Sequence, residues 1–457
     1  MNLHNLHSAY FIGIGGIGMS AIARFLHHKG VAVSGYDRTP SALCAEMSQS
    51  GIEIVYSDAQ NTIPKRFLQT PPENAVVIYT PAVPATHPQL QWLRAEGYEV
   101  IKRAAALAAI TASYRTIAVA GTHGKTTTSA MLAHILTHSG LGCQAFLGGV
   151  STNYHSNLIT HPTSDLAVVE ADEFDRSFHT LSPRWGVITS VEADHLDIYG
   201  HADQLRKAFE GFSKRIHPEG LLLCREGIGA MPFEGNTQSY AVSDSADITG
   251  REVHVENGTF VFDFQSNRDH FHGLELGLPG RHNVENAVAA AGIARELQVS
   301  EDAIRGALSS FRGVKRRFER HDVGSGRVYI DDYAHHPTEV LACGQAVQEL
   351  YPEREITVVF QPHLYTRTRD FAAEFGAALS QFHRVILLEI YPAREEPIPG
   401  VSSELILVHV DAPSKEVLQR DALLEDLRNN PPEVLLTLGA GDIDLLVEPI
   451  TQMLKAL

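Results

Sequence analysis

The 457-residue chain is 44% apolar, enough for several buried cores, and its length favours about three domains. A formal net charge of −17 argues against nucleic acid or an anionic membrane as partner, but not against small anions held by local Lys, Arg and Mg²⁺. No apolar run reaches the roughly 18 residues of a membrane helix, no basic leader opens the chain, and Cys44, Cys143, Cys224 and Cys343 have no CxxC spacing. The expectation is therefore a cytoplasmic protein with reduced thiols.

The first predicted strand, 9–12, runs into Gly13-Ile14-Gly15-Gly16-Ile17-Gly18 and an apolar-periodic segment, 19–28. A second strand, 31–36, ends at Asp37, completing a GxGxxG βαβ unit with an acidic residue about 20 positions on. Such glycines let backbone approach a diphosphate. They leave open whether it belongs to a dinucleotide such as NAD, with Asp37 on a ribose hydroxyl, or to another nucleotide. A strand over 76–79 continues this sheet, and an alanine-rich helix, 103–110, leads out of it.

A strand over 116–120 then meets Gly121-Thr122-His123-Gly124-Lys125-Thr126-Thr127-Thr128, with a helix predicted over 129–137. Strand, glycine loop and helix N-terminus make a phosphate cradle, in which N–H groups face phosphate oxygens. Lys125 supplies a point charge to the β- and γ-phosphates, and Thr126 offers its hydroxyl to Mg²⁺. The strict Walker pattern wants Gly where this chain has Val119, so the loop is the shorter GTxGKTT form.

Strands over 166–170, 186–190 and 221–224 follow. The first ends in Glu170-Ala171-Asp172-Glu173-Phe174-Asp175, the second in Val191-Glu192-Ala193-Asp194-His195. Carboxylates at strand ends beside a phosphate loop commonly hold Mg²⁺; Glu170 is nearest its strand, and His195 is the candidate for a second ion. A β-rich stretch, 238–264, precedes the segment 280–286, which opens another alanine-rich helix, and 311–318 reads as a linker. Beyond it, strands over 328–332, 357–361, 385–390 and 434–438 are the short Val/Ile/Leu runs of a covered parallel sheet. Asp331-Asp332-Tyr333-Ala334-His335-His336-Pro337 and the segment 361–369 form polar walls at two of their ends, where Arg367 or Arg369 is suited to grip a carboxylate. The whole reads as three α/β domains in a row.

Ten segments in order (GIGGIGMS, GTHGKTTT, EADEFDRSF, DHLDIYG, GRHNVENA, GVKRRFE, DDYAHHPTE, FQPHLYTRTRDF, YPAREEPIPGVSS and GAGDID) make nearly the whole chain resemble the Mur ligase family of ATP-dependent peptidoglycan-precursor enzymes. The resemblance implies an α/β protein of three domains. These are a Rossmann-like UDP-sugar domain over 1–108, a central P-loop ATPase domain over 109–313, and a Rossmann-like amino-acid domain over 314–457. It turns the first glycine turn into a UDP-sugar site with Gly15, Gly16, Ile17, Gly18, Asp37, Thr80 and Arg103. It assigns ATP to Gly121, Thr122, His123, Gly124, Lys125, Thr126, Thr127, His282, Asn283, Arg317 and Asp332, and Mg²⁺ to Thr126, Glu170 and His195. Tyr333, His336 and Arg367 fall to the amino acid. Lys125, Glu170, His195, His335 and His336 carry the chemistry, with the general base open between the last two.

The implied partners are small molecules, UDP-N-acetylmuramate and L-alanine, with no nucleic acid and no membrane; monomer and homodimer both remain open. Two positions depart from the family pattern. Leu364 stands where many relatives have Arg, so the carboxylate grip passes to Arg367 alone. Phe209 stands where sister enzymes carry a carbamylated Lys, which leaves nearby Lys207 as a surface residue.

Overall fold

The structure is a computed structural model that describes residues 5–174, 176–192, 202–243, 245–393 and 395–457. Three sheets organise it. The first contains β1 (Ser8–Ile12), β2 (Ala32–Tyr36), β3 (Glu53–Val55), β4 (Ala75–Tyr79) and β5 (Glu99–Lys102), all parallel, in the order β3-β2-β1-β4-β5. β1 is buried along its whole length, as a central strand covered on both faces must be.

The second sheet has ten strands: β6 (Arg115–Ala120), β7 (Gln144–Ser151), β8 (Ser156–Ile159), β9 (Leu166–Glu170), β10 (Trp185–Ile188), β11 (Leu221–Arg225), β12 (Asn236–Ala241), β13 (Ile248–Glu256), β14 (Thr259–Gln265) and β15 (His270–Leu276). Their order is β15-β14-β13-β12-β11-β10-β6-β9-β7-β8. β6 lies between β9 and β10 and pairs in parallel with both, so the ends of these three strands open on one edge. That edge carries the phosphate loop, the acidic segment after β9 and the segment after β10.

The third sheet contains β16 (Glu319–His321), β17 (Val328–Asp332), β18 (Ile356–Phe360), β19 (Arg384–Leu387), β20 (Ser414–Val417) and β21 (Val434–Leu438), in the order β16-β17-β21-β18-β19-β20. Only β16 runs antiparallel. β17, β18 and β21 are buried throughout. By packing density the chain divides into two units. One comprises Met1–Arg251, Phe264–His272 and Glu285–Phe311; the other comprises Glu252–Asp263, Gly273–Val284 and Arg312–Leu457.

Several boundaries differ from those the sequence predicts. The helix after the phosphate loop spans Lys125–His138 and so begins at Lys125 rather than at 129. Three successive β-branched threonines read as a poor helix start, but Thr126, Thr127 and Thr128 are all buried, and packing overrides propensity. β10 stops at Ile188, and beyond it the Thr189 and Ser190 side chains turn to hold the phosphate loop. β19 stops at Leu387, short of 390. All four cysteines are free and buried, as expected. Among the described residues, no helix is long and apolar enough to cross a membrane.

Candidate active site

At the ends of β1, β2 and β4 the chain turns through Gly13, whose φ of +86° favours glycine and whose Cβ position lies 2.6 Å from Thr80 Cγ2. The Gly15 N–H donates to Asp37 Oδ2 (2.7 Å) and the Thr39 N–H to Asp37 Oδ1 (3.1 Å). Asp37 thus braces the glycine turn, a role the ribose reading did not anticipate. A Cβ on Gly18 would lie 3.0 Å from Arg103 Nη1, so the first turn of the helix Ile17–His28 and Arg103 share one surface. Gly15, Gly18, Asp37, Thr80 and Arg103 therefore do converge. Arg103 also donates to Asp172 Oδ2 (3.4 Å), which links this turn to the acidic segment after β9. Arg103, Leu107, Glu170, Asp172, Ser177 and Phe178 line a shallow cleft that opens to solvent.

Strand-end residues and its own glycines shape the phosphate loop. Gly121 and Gly124 take φ of +140° and +82°, and a Cβ on Gly121 would collide with the Thr189 hydroxyl. Ser190 Oγ accepts from the His123 N–H (2.8 Å) and lies 2.8 Å from Thr122 Oγ1; Thr189 Oγ1 donates to the His123 carbonyl. Thr126 Oγ1 donates to Glu170 (3.0 and 2.9 Å to the two oxygens), and the Gly148 N–H also donates to that carboxylate (2.9 Å). A hydroxyl and a carboxylate in contact beside a phosphate cradle form an oxygen-only donor set suited to a hard divalent cation. His195, the other proposed metal ligand, lies outside the described residues.

Lys125 meets a partner that sequence reasoning missed. Its ammonium donates to Glu173 Oε1 (3.0 Å), lies 2.9 Å from Oε2 of the same carboxylate, and donates to the carbonyls of Gly121 (2.5 Å) and Thr122 (3.3 Å). Glu173 is fully buried. Burial pushes its carboxyl up to about 7, although Lys125 pulls it down. Burial acts to lower the Lys125 pKa, but Glu173, Glu170 and Asp172 together hold it above the ordinary lysine value. Asn286, from the segment 280–286, also meets the phosphate loop and its helix. Its side-chain oxygen accepts from Thr128 Oγ1 (3.1 Å) and sits where a Cβ on Gly124 would come within 2.7 Å.

A second constellation gathers around β17. Asp332 accepts from the N–H groups of Phe318 and Ala334 (2.7 Å each). Burial pushes it up to about 6 against the pull of Arg317 and of those two N–H groups. The guanidinium carbons of Arg316 and Arg317 lie 5.4 and 4.9 Å from the Tyr333 ring centre. His335 Nδ1 is 2.9 Å from the Tyr333 carbonyl and 3.2 Å from Glu339; its ring meets those of Tyr333 and His363 at 5.2 and 5.9 Å. His336 caps the helix Pro337–Leu350 and packs edge-on against Phe371 (5.2 Å). The Phe371 N–H donates to the carbonyl of buried Arg367, so Arg367 joins the same neighbourhood. Burial lowers His282 to about 4, although Glu339 acts to raise it; Arg317 lowers it further. The Asn283 amide donates to the Pro279 carbonyl (2.6 Å).

Family models match along the chain in the same order as the sheets: the Mur ligase family catalytic domain over 8–115, the Mur ligase middle domain over 119–294, and the Mur ligase glutamate ligase domain over 316–441. The UDP-N-acetylmuramate–L-alanine ligase of Parabacteroides distasonis is 48% identical over 457 residues, covering 99% of this chain and 98% of the relative. The enzyme of the same name from Porphyromonas gingivalis W83 is 49% identical over 453 residues, covering 98% and 99%. The crystal structure of UDP-N-acetylmuramate–alanine ligase from Thermotoga maritima superposes with a TM-score of 0.82 at 28% identity, covering 98% of this chain and 99% of that one.

Proposed function

Because the chain belongs to the Mur ligase family, a three-domain α/β fold, we propose that it joins L-alanine to the lactyl carboxylate of UDP-N-acetylmuramate, converting ATP to ADP and phosphate. It is a ligase of peptidoglycan precursor synthesis. The observation that carries the reading is near-half identity along essentially the whole chain to relatives named for this reaction. Its substrates are soluble nucleotides and an amino acid, which suits action in the cytoplasm. The domain limits 1–108, 109–313 and 314–457 are supported by three sheets whose strands fall within 8–102, 115–276 and 319–438.

A carboxylate resists nucleophiles because its charge is delocalised and its oxygen is a poor leaving group. Transfer of the γ-phosphoryl group gives an acyl phosphate, and phosphate then leaves readily. In this reading the backbone of the loop 121–127 and the Lys125 ammonium bind the phosphates and stabilise charge on the transferring group. Thr126 and Glu170 would hold Mg²⁺, which supplies further charge neutralisation when bound. Gly15, Gly16, Ile17 and Gly18 present backbone to the UDP diphosphate, and Arg103 beside Asp172 directs the sugar's carboxylate toward the loop. Arg367 would grip the alanine carboxylate, with Tyr333 and His336 beside it.

The amine must lose a proton before or as it attacks the acyl phosphate. A carbonyl can only accept, so contact with the Tyr333 carbonyl supports a proton on His335 Nδ1. The neutral ring then presents the Nε2 lone pair, which favours His335 over His336 as base. The test is phosphate release with ATP, Mg²⁺ and UDP-N-acetylmuramate, adding L-alanine or a murein tripeptide in parallel. Release that requires both sugar and alanine is expected. Release with the tripeptide alone would make the chain a recycling ligase, and release with neither would remove the ligase reading.

A further inference from the structure

Lys125 is saturated where it stands. An ammonium has three N–H donors, and here the Gly121 carbonyl, the Thr122 carbonyl and the Glu173 carboxylate take all three. For a phosphate to receive a hydrogen bond from Lys125, one of these acceptors must be given up. The two carbonyls are neutral. Glu173 is an anion, fully buried and three residues past Glu170, so an arriving phosphate group brings further negative charge toward a carboxylate that water does not screen.

We infer that Glu173 is an exchangeable counter-ion for the phosphate-loop lysine: it neutralises Lys125 in the nucleotide-free enzyme, yields it to the nucleotide phosphates, and takes one proton from solvent as it does so. The exchange conserves charge within the buried site. The lysine keeps its proton throughout, the phosphates gain its hydrogen bond, and the carboxylate becomes a neutral acid. Glu173 is thus a positioning residue that acts through Lys125, and the inference rests on the nucleotide-site reading above.

The charged groups around it fit this role. From the helix Lys125–His138 only Lys125 faces it among the described residues; from its own segment Asp172 adds negative charge. Glu170 acts on Lys125 from the end of β9, and Arg103 is engaged with Asp172. With Lys125 in place the carboxyl already sits at about 7, and removal of that cation moves it further up. Nucleotide binding is therefore independent of this group below pH 7. Above it, binding weakens by up to about tenfold per pH unit, because the bound form then holds one proton more than the free form.

The experiment is calorimetric titration of MgATP into the full-length protein, without sugar or amino acid, at pH 8 in two buffers of different ionisation enthalpy. Wild type should take up close to one proton per nucleotide. Glu173→Gln, isosteric and neutral, should bind MgATP several-fold more tightly at pH 8 with that uptake gone. Lys125→Met, which lacks the cation that the exchange hands over, should bind more weakly and also show no uptake. Binding by wild type with no proton uptake, or equal uptake in wild type and Glu173→Gln, overturns the exchange while leaving the nucleotide site intact. No MgATP binding by wild type overturns both readings.

Discussion

The Thr126 hydroxyl can donate only one proton, yet it lies 3.0 and 2.9 Å from the two oxygens of Glu170. It therefore straddles a carboxylate with lone-pair capacity to spare on both oxygens, which is where a divalent cation would enter. Glu170→Gln keeps the shape and an acceptor for the Gly148 N–H but removes the charge. The Mg²⁺ concentration for half-maximal phosphate release is expected to rise several-fold, with thermal stability nearly unchanged. An unaltered Mg²⁺ titration would reduce Glu170 to a brace for Thr126 and Gly148. Residues of this kind were legible in the sequence, because a Gly-Lys-Thr after a strand and an acid ending the next strand are local signals. Glu173 and Asn286 were not legible as partners. They meet Lys125 and Thr128 across 48 and 158 residues of chain, and only the sheet order β10-β6-β9 and the return of the helix Arg281–Glu296 bring such positions together.

Among elements, the helix Lys125–His138 is buried on nearly every side, so its stability comes from packing more than from its sequence. One of its fastenings is ionisable. His134 Nδ1 lies 2.8 Å from Tyr154 Oη, and Nε2 lies 3.1 Å from Ser310 Oγ at the end of the helix Glu301–Ser310. Burial lowers its pKa to about 4 from an unfolded value near 6.5, and nearby His138 adds to the effect. Between these values the unfolded chain binds the extra proton. Stability therefore falls as pH drops from 6.5 to 4, by about 1.4 kcal/mol per pH unit for this one group. His134→Phe should be less stable at pH 7, since both hydroxyls lose a ring nitrogen, but its loss of stability toward pH 4 should be shallower by one proton. Urea midpoints across that range measure it, and parallel curves for the two proteins would show that His134 does not titrate this way. His282, also lowered to about 4, contributes the same sign to both curves and cancels in the comparison. The central strands of all three sheets were readable from short Val/Ile/Leu runs, whereas β3, β5, β7, β8, β16 and β20 were not placed. The ends of β10 and of the loop helix were not, because tertiary partners such as Ser190 and the buried threonines decide them.

On the scale of the whole molecule, the first sheet and the parallel core of the second fall within one unit, and the side chains joining them reach the glycine turn itself. Asn157, on β8, is fully buried; its amide donates to the Ile17 carbonyl (2.6 Å) and to Ser20 Oγ (2.9 Å) in the first turn of the helix after Gly16. Arg24 on the same helix donates to Ser156 Oγ (3.2 Å), and the Phe25 and Phe146 rings pack at 5.2 Å. The turn proposed to bind the diphosphate of the sugar is therefore held in place by the domain that carries the phosphate loop. Asn157→Ala removes two donors from buried acceptors, a change of about 1–3 kcal/mol for such groups. If the contact only stabilises, the apparent melting temperature falls and both Michaelis constants stay put. Because Ile17 opens the helix whose N-terminus is proposed to face the diphosphate, the expected result is a raised KM for UDP-N-acetylmuramate with the KM for ATP nearly constant. Equal rises in the two constants would mean that the turn and the phosphate loop loosen together, and would count against Asn157 as a support specific to the sugar site.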